Sequence, residues 1–165
     1  MFEIQSDSTL SKAQRYRDLE TALESLLEGE TDALANLANA SALLAQSLPG
    51  INWCGFYLLR GEELVLGPFQ GKPACVRIRV GQGVCGTAAS RRETVVVADV
   101  NRFPGHIACD AASRSEIVVP IIQGAILRGV LDVDAPETDR FDDDDRAGLE
   151  EFVAALIPRV AWERL

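Results

Sequence analysis

At 165 residues with 47% hydrophobic content, the chain is long enough for one domain with its own core and too short for two comfortable ones. A net charge of -9 and a pI near 4.6 create a field that repels phosphate backbones and anionic lipids, which argues against nucleic-acid and membrane partners. Four cysteines are too few for a disulfide-dense secreted scaffold, and the opening Met1-Phe-Glu-Ile-Gln-Ser-Asp lacks the order of a signal peptide, so the expected compartment is the cytoplasm, where thiols stay reduced.

Leu10, Ala13, Tyr16, Leu19, Leu23 and Leu26 recur at three- and four-residue steps, with Ser11 and Gln14 at capping-box spacing, which predicts a first amphipathic helix. A second helix is expected after Thr31, with Leu34, Leu37, Ser41, Leu44 and Leu48 on one stripe and Pro49-Gly50 closing it. The texture then changes to short β-branched and aromatic runs bounded by glycine and proline, the pattern of strands. Strands are predicted at 51–60 and 63–67 around a tight Gly61-Glu62 turn, then at 75–80, 94–98, 116–122 and 125–132, the last two joined across Gln123-Gly124. A final helix carries Leu149, Phe152, Val153, Leu156, Ile157 and Val160, with Pro158 expected to kink or end it. The run Asp142 to Asp145 is read as its N-terminal cap; the alternating ligands and turn glycine of a calcium loop are missing. Six strands among helices predict one α+β domain over residues 1–165, with an antiparallel or mixed sheet.

Gly81-Gln-Gly83-Val-Cys-Gly86 matches G-x-G-x-x-G after a strand, the context of a dinucleotide fingerprint. Such a unit continues into a parallel strand with an acidic residue about 20 positions on; Asp99 falls short, and a hairpin follows instead. The glycines are therefore read as a tight turn presenting Cys85 at the start of a helix.

Cys54, beside Trp53 in an apolar strand, reads as a small buried residue. Cys85 is expected where backbone N–H groups and the helix dipole favour a thiolate, and Cys109 follows Pro104-Gly105-His106 ahead of a short helix near Ala111. A thiol of pKa about 8.5 is only slightly ionised at neutral pH, so a working nucleophile needs such local help. His106 is either a base for Cys109 or a turn residue. Zinc shared among His106, Cys75, Cys85 and Cys109 is disfavoured, because the cysteines are ten and 24 residues apart rather than in close pairs.

Gly67-Pro-Phe-Gln-Gly-Lys-Pro-Ala-Cys75, Gly81-Gln-Gly-Val-Cys-Gly-Thr-Ala88, Asp99-Val and Phe103-Pro-Gly-His-Ile-Ala-Cys109-Asp through Ser115-Glu-Ile-Val-Val-Pro120 occur in that order. With these motifs the chain, from about Trp53 to Asp134, resembles the free methionine-(R)-sulfoxide reductases, which are built on a GAF domain. The resemblance implies an α+β, GAF-like six-stranded antiparallel sheet flanked by helices. It also implies reduction of the R epimer of free methionine sulfoxide with electrons from thioredoxin, and neither cofactor nor metal. Cys109 corresponds to the attacking cysteine, and Cys85 and Cys75 to the resolving pair in an order left open. Trp53 and Tyr57 correspond to pocket walls, and Glu116, Asp132 and Asp134 to acids that bind the substrate.

The chemistry is consistent with those residue types. A thiolate attacks the sulfoxide sulfur, the oxygen is protonated, and the resulting sulfenic acid condenses with a second thiol. A carboxyl of raised pKa supplies the proton, and another holds the ammonium of a free amino acid. Asp132 and Asp134 alternate on a strand and so share a face, although crowded acids also oppose thiolate formation. A strand-end aspartate capping the turn before Pro136 is the structural alternative, and a GAF sensor module without turnover is the functional one. The first and last helices offer a surface for a homodimer.

Overall fold

The computed structural model describes residues 10–105, 107 and 111–165. Helix α1 (Lys12–Leu26) begins at Ser11, whose hydroxyl accepts from the Gln14 N–H at 3.2 Å. The Gln14 side chain turns outward to Asp18 and Arg17 instead of completing the expected capping box. Helix α2 (Ala33–Ser47) is capped by Asp32, which accepts from Ala35 N–H at 2.8 Å. Leu34 departs from the expected stripe and is 59% exposed: it lies on the flank of the face centred on Leu37, Ala40 and Leu44, which are fully buried.

Six strands follow: β1 (Trp53–Arg60), β2 (Glu63–Gln70), β3 (Arg77–Arg79), β4 (Val95–Val97), β5 (Ser115–Gln123) and β6 (Ile126–Ala135). They form one antiparallel sheet in the order β3-β2-β1-β6-β5-β4. Gly61 and Gly124, at φ 61° and 60°, make the two hairpin turns that the sequence marks. The boundaries differ from expectation in three places. β2 runs on to Gln70, because Gly55 carries no side chain and Phe69 crosses over it: a Cβ on Gly55 would sit 2.3 Å from that of Phe69. The strand expected at 75–80 shrinks to Arg77–Arg79, leaving Cys75 outside it. β6 continues past Asp132 to Ala135, held by β1 on one side and β5 on the other.

Alternation assigns each residue of the sheet to one of two faces. Cys54, Phe56, Ile117, Val119, Leu131 and Val133 point to the face covered by α1, α2 and helix α4 (Asp143–Leu156). At about 1.5–3 kcal/mol per large buried apolar side chain, this layer is the main source of stability. α4 opens at Asp142 with a capping box shared with Asp145, as the aspartate run implies, and ends at Leu156 just before Pro158. Asp145 accepts from Tyr16 Oη at 2.9 Å, Lys12 Nζ at 2.6 Å and Arg140 Nη1 at 3.1 Å, which fastens α4 to α1. Gly148 makes the contact close, since a Cβ there would lie 2.1 Å from the Tyr16 ring.

The opposite face carries a second, smaller core that includes Trp53, Tyr57, Val118 and Val130. It is covered by helix α3 (Gly83–Arg91). Because β3 and β4 are the two sheet edges, the chain crosses this whole face between them, and α3 is that crossing.

Candidate active site

The turn into α3 uses its glycines as the sequence suggests. Gly81 and Gly83 have φ of 89° and 60°, and a Cβ on Gly86 would lie 2.3 Å from the Arg79 carbonyl oxygen. Cys85 is thereby placed in the first turn of α3 and lowered onto β5 and β6, where it is 3% exposed.

Beneath it is an acidic corner. In the β5·β6 ladder Glu116 stands directly opposite Asp134, with Asp132 diagonal to it on the same face. Both aspartates lie within β6, where their backbone pairs with β1 and β5. Glu116 and Asp132 are each 6% exposed. The Cys85 Sγ–H donates to Glu116 Oε1 at 3.9 Å, and one ligand atom each from Cys85, Glu116 and Asp132 lie within 4.8 Å of one another. Asp132 Oδ1 is buried and accepts no hydrogen bond from any described residue. An orphaned buried carboxylate oxygen costs free energy unless a ligand satisfies it.

The electrostatics reverse the expectation for Cys85. Burial, followed by the Asp132 and Glu116 charges, pushes its thiol well above the ordinary range. A helix N-terminus offers at most about 2 kcal/mol to an anion, whereas full burial shifts a pKa by up to about 3–5 units, or roughly 4–7 kcal/mol. Desolvation wins, and Cys85 is a thiol at neutral pH. Burial and the two neighbouring aspartates raise Glu116 well above the usual carboxylate range. Burial lifts Asp132 to about 7, against hydrogen bonds from Cys85 and Glu116 that pull it down. Cys54 is fully buried on the other face, donates to the Ser41 carbonyl at 3.4 Å and is pushed to about 12 by burial, as suits a packing residue.

An aromatic wall flanks the acids. Trp53 stacks between Tyr57 and Phe69, with ring centroids 6.0 and 5.4 Å away. Its Nε1–H donates to the Lys72 carbonyl at 3.1 Å, and the Tyr57 hydroxyl donates to the Cys75 carbonyl at 3.0 Å. The segment from Gly71 to Cys75 is thus strapped across the aromatics. Trp53, Tyr57, Lys72, Pro73, Ala74, Asp132 and Asp134 line a narrow cavity beside these acids.

Of the predicted site residues, Trp53, Tyr57, Asp132 and Asp134 share this cavity, and Cys85 and Glu116 form the buried corner beside Asp132. Cys75 is half-buried at the end of the strap. Cys109 and His106 lie outside the described residues. Ala111 and Ala112, after them, form a turn rather than the expected short helix. Ile107 packs against the N-terminus of α3, 3.3 Å from where a Gly83 Cβ would stand. Sequence reasoning missed Lys72, Pro73 and Ala74 as wall residues, although they sit inside the motif ending at Cys75, and it missed the Phe69 stack.

A six-stranded antiparallel sheet with a helical layer on one face and a crossing helix on the other is the architecture of a GAF domain, and the GAF domain family model matches residues 22–157. The chain is 54% identical over 147 residues to a free methionine-R-sulfoxide reductase of Escherichia coli, covering 89% of each chain. A free methionine-R-sulfoxide reductase from Neisseria meningitidis, solved in complex with its substrate, superimposes with a TM-score of 0.92 at 44% identity, covering 99% of this chain and 98% of that one. The reduced form of fRMsr of Staphylococcus aureus gives a TM-score of 0.85 at 57% identity, covering 88% and 95%. The chain belongs to the free methionine-R-sulfoxide reductase family of GAF domains.

Proposed function

We propose that this protein reduces free L-methionine-(R)-sulfoxide to methionine through a cysteine sulfenic acid and an intramolecular disulfide that thioredoxin recycles, acting in the cytoplasm as one GAF domain over residues 1–165. The observation that carries the reading is the buried acidic corner: Glu116 and Asp132 beside Cys85, with an unsatisfied Asp132 oxygen, under the Trp53–Tyr57 wall. Burial gives these acids the two states the reaction needs. A carboxyl held near 7, as Asp132 is, can donate to a sulfoxide oxygen at neutral pH, and its ionised form can hold an ammonium. Trp53 and Tyr57 supply the apolar surface for the methyl and side chain of the substrate.

In the proposed cycle the Cys109 thiolate attacks the sulfoxide sulfur. The S–O bond breaks as the protonated oxygen passes to Cys109, giving Cys109–SOH and methionine. A second thiol, Cys85 or Cys75, then attacks Cys109–SOH; a disulfide forms and the oxygen leaves as water. The thioredoxin dithiol reduces that disulfide by exchange and is itself oxidised. The net reaction consumes one dithiol and one sulfoxide, and yields one disulfide, one methionine and one water.

The test is NADPH oxidation coupled through thioredoxin reductase and thioredoxin. The wild type consumes NADPH with free methionine-(R)-sulfoxide, Cys109→Ser does not, and Cys85→Ser reduces about one equivalent before slow recycling. Absence of turnover in the wild type, or sustained turnover in Cys109→Ser, overturns the reading.

A further inference from the structure

We propose that Cys85, Glu116 and Asp132 form a binding site for a zinc-class divalent cation, and that the bound cation shuts the corner to substrate; the inhibition rests on the function proposed above, whereas the site does not. One ligand atom from each of the three residues lies within 4.8 Å of the other two, and all three residues are buried. This set is not the group of His106 and spaced cysteines whose separation argues against zinc. Here α3 lowers a single sulfur onto two carboxylates that the β5·β6 ladder brings together.

The spacing is close to what such an ion requires. Zinc holds sulfur at about 2.3 Å and carboxylate oxygen at about 2.0–2.2 Å, so its tetrahedral ligands stand about 3.4–3.6 Å from one another. The Cys85 sulfur is already 3.9 Å from Glu116 Oε1. Closing even the full 4.8 Å asks for roughly 1.2–1.4 Å of side-chain movement shared between two residues. A second observation, independent of the grouping, points to a ligand: Asp132 Oδ1 is sealed from solvent in a residue 6% exposed and accepts no hydrogen bond from any described residue. A buried carboxylate oxygen in that state gains most from a partner that brings positive charge.

The thiol selects which cation. Magnesium and calcium prefer oxygen alone, whereas zinc is soft enough to take a thiolate and hard enough to take carboxylates. Metal binding displaces the protons of its ligands, so a thiolate and two carboxylates gather around a dication and the corner stays close to neutral. Asp132 also lines the cavity under Trp53 and Tyr57, which gives the ion a way in from solvent, and three protein ligands leave its fourth position for water. Once bound, the ion takes the Asp132 oxygen that the substrate needs and ties up the Cys85 sulfur, so neither substrate binding nor resolution through Cys85 proceeds.

Cadmium is the probe, because its bond to a thiolate gives an ultraviolet charge-transfer band. Titrated into the reduced, metal-free wild type, it should raise this band to a plateau at one equivalent, and excess zinc should erase it. Cys85→Ser should lose the band, while Cys75→Ser and Cys109→Ser should retain it. Asp132→Asn keeps the sulfur and nearly the same shape, and should weaken cadmium by about 100-fold, at least the loss that follows removal of a group behind a metal ligand. Thermal melting confirms that each variant is folded. A band that survives Cys85→Ser, a band that Cys75→Ser or Cys109→Ser removes, or an unchanged affinity in Asp132→Asn overturns the site. Single turnover of the reduced wild type reads the inhibition: methionine formation from the (R)-sulfoxide should cease with one equivalent of zinc and return with a chelator, and an unchanged yield with zinc bound overturns it. Metal-free enzyme that forms no methionine sinks the reductase reading and the inhibition with it, while the cadmium titration decides the site.

Discussion

Replacement of Asp132 by asparagine tests the electrostatics of the site independently of any activity. Asp132 is 6% exposed, and burial raises its carboxyl from 3.8 to about 7. A carboxyl whose pKa is higher in the folded state binds a proton more tightly there than in the unfolded chain. Its contribution to stability is therefore fully present below about pH 4 and is lost as pH rises through about 7. At 1.36 kcal/mol per pKa unit, the whole loss is about 4 kcal/mol, of which about 3 kcal/mol falls between pH 5 and pH 8. Asparagine has nearly the same shape and never ionises. Its stability relative to wild type should thus rise by about 3 kcal/mol across that interval, about 1–2 M in urea midpoint. Urea unfolding of both proteins, with a chelator present and in half-unit steps of pH, measures it. Parallel curves for the two proteins would refute the idea that burial keeps this carboxyl protonated, and with it the proton-donor role.

Asp145→Ala should destabilise the fold by about 3–5 kcal/mol, because it removes the buried carboxylate that Arg140, Lys12 and Tyr16 share and leaves the buried Tyr16 hydroxyl unpaired; chemical denaturation reads this, and a loss under 1 kcal/mol would show the network to be peripheral. Cys85 should resist iodoacetamide at pH 7–8 in the native protein, since its thiol is buried and raised well above the ordinary range; peptide mass spectrometry after timed alkylation measures it, and labelling of Cys85 as fast as in the unfolded chain would contradict the burial argument.

Much of the architecture is readable from local pattern. The three amphipathic helices, the Ser11 and Asp142 caps, the Gly61 and Gly124 hairpins and the number of strands all follow from periodicity and turn chemistry, which act over a few residues. So does the sharing of one face by Asp132 and Asp134, which needs only alternation on a strand. The misread features depend on contacts between distant segments. β2 extends through Pro68 because Phe69 finds the empty side of Gly55 on the neighbouring strand. β6 extends to Ala135 because two partners hold it. The helix-start position of Cys85 suggests a thiolate, but the carboxylates that oppose one come from residues 31 and 47 positions further along. The strap from Gly71 to Cys75 has no periodicity, and only the hydrogen bonds from Trp53 and Tyr57 reveal it.

The conflict between a cysteine and the acids around it resolves once the proposed cycle is followed by its protons. Before substrate arrives, Cys85 is protonated beside carboxyls that are themselves held above their usual range, so the corner carries little net charge and its burial is tolerable. Reduction of the sulfoxide draws a proton out of this corner to the departing oxygen. What remains is a carboxylate within 4.8 Å of the Cys85 sulfur, placed to act as its base. The charge that suppresses a resting thiolate is thus the charge that removes the proton from a resolving thiol one step later. That proton is the one the sulfenic oxygen must gain to leave as water. An acidic corner beside a buried thiol is a poor arrangement for a first nucleophile and a suitable one for a second, which is the physical reason to propose Cys85 for a resolving step rather than for the attack.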